Sequence, residues 1–114
     1  MSKSIFVSFP DEPSVHVVEE VIHSGPGEDI LVKCSFSASP SVDVTWKHNG
    51  SDIDFGLRSN LVSETQTEPG MEHWIIKLSD LKDTDFGEYS CKGSNYLGEA
   101  EGTVSLSGGV LIVV

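Results

Sequence analysis

Asp85-Phe86-Gly87-Glu88-Tyr89-Ser90-Cys91 decides more of the fold than any other stretch of this 114-residue chain. Tyr89, Cys91 and Gly93 fall on one side of an extended segment, and Glu88, Ser90 and Lys92 fall on the other. That period of two marks a strand with one buried face. The second cysteine, Cys34, stands 57 positions upstream, and Trp46 follows it by twelve. Both sit in segments with the same alternation. Ile30, Val32, Cys34 and Phe36 alternate with Leu31, Lys33 and Ser35, and Val44 and Trp46 alternate with Asp43, Thr45 and Lys47. The first set of each faces inward.

Working outward, His48-Asn49-Gly50-Ser51 reads as an Asn-Gly hairpin turn. Trp74, Ile76 and Leu78 form another inward row, and Leu81 follows in the connection to Asp85. Asn95-Tyr96-Leu97-Gly98 closes a hairpin, after which Ala100, Gly102, Val104 and Leu106 point inward. Ser14 to Ser24 supplies a split first strand, and Gly25-Pro26-Gly27-Glu28 is the turn after it. Between Ser51 and Glu68 the alternation is poor, with a short element near Ile53 and a strand from Leu61 to Thr67. No stretch holds a helical period, so the chain reads as an all-β sandwich of two antiparallel sheets.

These residues closely resemble the I-set branch of the immunoglobulin superfamily. The likeness runs through Gly27-Glu28, Cys34, Trp46-Lys47-His48-Asn49-Gly50, Leu78, Leu81, Asp85 to Cys91, and the Asn-x-x-Gly hairpin at Asn95. It implies a Greek-key sandwich in which a Cys34–Cys91 disulfide joins the sheets, Trp46 packs on that bond and Tyr89 forms a tyrosine corner. It further implies that Asp85 pairs with a basic residue near the start of the fourth strand of the fold, for which Arg58, the one arginine, is the candidate. Leu78 and Leu81 are then core residues. Gly98 to Leu106 is similar to domains of neural cell-adhesion proteins of the IgLON and lachesin type. Asp11-Glu12-Pro13-Ser14-Val15 departs from the Pro-Pro-x-Phe opening common in muscle domains of the titin type.

The expected organisation is a leader or linker over 1–12, the domain over 13–107, and an apolar tail or linker over 108–114. Met1 to Val7 lacks the long apolar run and cleavage site of a secretory signal. Val110 to Val114 is too short to span a bilayer alone. An oxidised cysteine pair places the domain outside the cytosol, on a cell surface or secreted. The alternative is a cytosolic, sarcomeric module with two buried thiols.

The net charge is −11, and Lys3, Lys33, Lys47, Arg58, Lys77, Lys82 and Lys92 never cluster. Nucleic acid and direct lipid binding are therefore poor expectations. His16, His23, His48 and His73 lack metal-ligand spacing and read as surface residues, and Asp52 and Asp54 read as solvated turn residues. No Gly-x-Ser-x-Gly elbow or phosphate loop occurs. The expectation is no catalytic residue, metal or cofactor.

Asn49-Gly50-Ser51 is an N-glycosylation sequon on a turn. Leu31 and Ile75 point outward as a small apolar patch, and Tyr96 and Leu97 sit at a hairpin tip, making these four the candidate contact residues. The expected function is protein contact and spacing in an adhesion or receptor ectodomain, with neighbouring immunoglobulin or fibronectin-like domains. A structural module of a muscle or cytoskeletal filament protein is the alternative. Homophilic and heterophilic binding both stay open.

Overall fold

The computed structural model describes residues 10–108. Nine strands follow in order: β1 (Asp11–His16), β2 (Val21–His23), β3 (Ile30–Ser39), β4 (Asp43–His48), β5 (Ser51–Asp52), β6 (Leu61–Glu68), β7 (Met71–Leu78), β8 (Gly87–Asn95) and β9 (Gly98–Ser107). One sheet has the order β1-β3-β7-β6 and the other β2-β9-β8-β4-β5. β2 runs parallel to β9, and the remaining pairs are antiparallel. The first strand is therefore split between the sheets.

The alternating residues meet between the sheets. Val32, Cys34 and Phe36 face Trp46, Tyr89, Cys91, Val104 and Leu106 in one core that also holds Ile76, Leu78 and Leu81. Cys34 and Cys91 are bonded across it, with an S–S distance of 2.07 Å. Trp46 lies opposite Cys91 in register, and Trp74 lies opposite Cys34.

Three boundaries differ from expectation. β1 begins at Asp11, three residues before the expected Ser14. The cause is a long-range tie: Asn95 Nδ2 donates to the Asp11 carbonyl at 2.9 Å. The short element near Ile53 is β5 at Ser51–Asp52, and the Ile53 N–H continues the ladder by donating to Trp46 O at 3.1 Å. β6 reaches Glu68, one residue beyond the expected Thr67. Most of the leader and nearly all of the apolar tail fall outside the described residues.

Candidate interaction surfaces

At the pole where β8 begins, polar side chains close the core. A single 3₁₀ turn, Asp83–Asp85, directs the Asp85 carboxylate inward, where it is 3% exposed. Arg58 Nη2 donates to one of its oxygens at 2.6 Å. Asn60 Nδ2 at 2.8 Å and the Lys82 N–H at 2.9 Å donate to the other. Burial works against the charge, but the Lys82 N–H, Arg58 and Asn60 outweigh it and hold the Asp85 carboxyl below the ordinary carboxylate range. Tyr89 is fully buried and its hydroxyl donates to the Asp85 carbonyl. Burial pushes that phenol upward, against the pull of Arg58.

His48 completes the corner. Its ring stacks on Tyr89 with centroids 4.2 Å apart and planes within 5°. Arg58 Nη1, which can only donate, lies 3.0 Å from His48 Nδ1, so Nδ1 accepts. Nε2 then carries the proton and donates to Phe86 O at 2.9 Å. The expectation of a surface histidine therefore fails at His48. The alternation that turns Val44 and Trp46 inward also turns His48 inward, and that signal was available in the sequence.

The Asn49-Gly50 turn takes φ of 50° and 84°, the paired positive values of a type I′ hairpin. Asn49 Oδ1 accepts from the Glu88 N–H at 2.9 Å, and the Asn49 N–H donates to Glu88 O at 2.7 Å. The amide thereby lies flat on Gly87, where an added Cβ would come within 2.4 Å of Asn49 Oδ1. Gly87 also has φ of 125°, so glycine is required there twice over.

At the other end of β8, Asn95 Nδ2 donates to Asp11 O and to Pro40 O, while Asn95 Oδ1 accepts the Leu97 N–H. This side chain pins three segments and leaves Tyr96 72% and Leu97 41% exposed.

The outer face of the β1-β3-β7-β6 sheet corrects one expectation. Ile75 is buried, at 6% exposed, and is not a surface contact residue. It lies on the central strand between Lys33 of β3 and Glu64 of β6, and Lys77 and Glu64 form a salt bridge at 2.9 Å beside it. Such long side chains cover an apolar group with their stems. Leu31 remains 55% exposed because β1 pairs with β3 only from Ser35 onward. The edge residue Val62 is 58% exposed, and Lys77 lies between the two in register.

His73 is the second histidine that departs from a surface role. Its Nδ1 lies 2.7 Å from Ser35 Oγ and its Nε2 lies 3.0 Å from Glu68 Oε1. Ser35 is 4% exposed, so the chain of three serves to satisfy a covered hydroxyl. Ser35 sits within the β3 ladder, opposite both His73 and His16. On the opposite sheet, Asp43, Asp52, Glu88, Glu99 and Glu101 alternate with the inward row and outnumber Lys47 and Lys92. No group of three or more metal-ligating side chains occurs among the described residues.

The immunoglobulin I-set domain model matches residues 13–107, and the chain belongs to that family. It is 32% identical over 102 residues to the leucine-rich repeat, immunoglobulin-like domain and transmembrane domain-containing protein 3 of Mus musculus, covering 87% of this chain. It is 36% identical over 87 residues to the synaptogenesis protein syg-1 of Caenorhabditis elegans, covering 75% of this chain. The chain spans 14% and 12% of the length of these two curated relatives. Among solved structures, the complex of Dpr2 Ig1-Ig2 with DIP-Theta Ig1-Ig3 superposes with a TM-score of 0.78 at 24% identity, over 85% of this chain and 32% of that one. Titin M4 superposes at 0.72 with 19% identity, over 88% of this chain and 98% of that one. Both structural likenesses concern the fold.

Proposed function

We propose that this chain is a protein-contact and spacer domain of a cell-surface adhesion or receptor ectodomain, with no chemistry of its own. The Cys34–Cys91 bond supports this reading most directly, because structural disulfides persist in oxidising compartments. Relatives whose names include a transmembrane domain or synaptogenesis support it as well. Leu31 and Val62 flank Lys77 on the outer face of the four-stranded sheet, where Lys33 and Lys77 balance Glu64 and Glu68. Two copies can meet there without the repulsion that the acidic opposite sheet would impose. Tyr96 and Leu97 offer a second, smaller contact at the hairpin.

Sedimentation of the wild type against Leu31→Glu with Val62→Glu tests the contact. Concentration-dependent association lost in the double variant supports that face. Equal association in both proteins overturns it. A second reading, a structural module of a muscle or cytoskeletal filament protein, draws on the 26% identity over 99 residues to titin of Drosophila melanogaster. It requires Cys34 and Cys91 to be reduced in the cell.

A further inference from the structure

Asn49 combines an accessible sequon with an amide whose two ends have different environments. Asn49, Gly50 and Ser51 are all exposed. Asn49 Oδ1 is held by the Glu88 N–H at 2.9 Å, which fixes the orientation of the amide. Nδ2 lies 3.5 Å from His48 Nε2, but that nitrogen carries the proton given to Phe86 O and cannot accept a second one. Substitution at Nδ2 therefore costs the fold no hydrogen bond. A glycosyl amide keeps its carbonyl oxygen, so the bond from Glu88 persists.

We propose that Asn49 carries an N-linked glycan, an inference that rests on the exterior reading given above. A secretory-pathway transferase forms the bond from Nδ2 to the anomeric carbon of an oligosaccharide. The carbon–oxygen bond to a lipid-linked diphosphate donor breaks, the diphosphate leaves with the electron pair, and Nδ2 gives up one proton. The glycan has a defined position. Asn49 packs on Gly87, which lies opposite Leu106 in register, and Gly108 packs on the Phe86 ring where the described chain ends. The sugar thus stands at the end of the sandwich where β9 finishes. Tyr96 lies eight strand positions beyond Glu88, roughly 25 Å away at the rise of a β-strand. The glycan also covers the short edge strand β5, whose first residue is Ser51 of the sequon, and edge strands are where unwanted pairing begins. It leaves the hairpin and the Leu31 face open to partners.

The test secretes the full chain from eukaryotic cells behind an added signal sequence and compares gel mobility before and after peptide-N-glycosidase. Wild type and Ser51→Thr are expected to run as one retarded species that the enzyme accelerates, with Asn49 converted to Asp in the released peptide. Ser51→Ala is expected to lose the retardation. Ser51 is the position varied because Asn49 itself holds the turn. Wild-type protein that is secreted with Cys34 and Cys91 bonded yet shows no retardation overturns the glycan and leaves the exterior reading standing. Protein retained in the cell with both cysteines free overturns the exterior reading and the glycan with it.

Discussion

Where β8 begins, Tyr89 is enclosed by the His48 ring and bonded to the Asp85 carbonyl and Arg58; just past where it ends, Tyr96 stands 72% exposed. The two tyrosines are seven positions apart and the chemistry of the side chain is the same. The difference lies in what surrounds them. Around Tyr89, the buried polar groups are paired with one another: Asp85 with Arg58 and Asn60, and the Tyr89 hydroxyl with the Asp85 carbonyl. Around Tyr96, Asn95 satisfies the backbone of the hairpin and of two further segments at once, which frees the aromatic ring beside it. One end of the strand is closed into the core and the other presents an exposed aromatic ring.

The comparison breaks most visibly if the corner is dispensable. Asp85→Ala removes the partner of Arg58 and the acceptor for Asn60 and the Lys82 N–H, and is expected to lower unfolding stability by about 3 kcal/mol in urea titration. Tyr89→Phe removes one buried hydroxyl and is expected to cost about 1–2 kcal/mol in the same measurement. Tyr96→Ala, by contrast, is expected to change stability by less than about 0.5 kcal/mol.

Acid sharpens the same contrast. The folded-state pKa of Asp85 lies below its unfolded value of about 3.8, so its contribution is complete above that value and is lost as pH falls through the lower, folded one. Asp85→Asn is therefore expected to flatten the acid limb of a stability–pH curve below about pH 4. Tyr96→Ala is expected to leave that limb superimposable on the wild type.

How legible each region was follows from whether its signal is local. The sandwich could be read because its core residues recur every second position along single strands, as Val32, Cys34 and Phe36 do. The tip at Tyr96 and Leu97 was legible for the same reason, being four consecutive residues. Ile75 was misread because alternation gives a residue's side of the sheet and not its cover, which here comes from Lys33 and Glu64 on neighbouring strands. The chain from Ser35 through His73 to Glu68 depends on register between β3, β7 and β6, which no single segment encodes. Asn60 was missed because its target, Asp85, is 25 positions away and approached from an irregular loop.

Whether this domain works outside the cytosol as a contact and spacer module depends first on its two cysteines. The direct measurement is mass spectrometry of unreduced peptides from the protein as made in its own cells, with free thiols blocked at lysis. The expected result is one cross-linked peptide pair joining Cys34 to Cys91 and no blocked thiol at either position. Both cysteines recovered in blocked, unlinked form would contradict it.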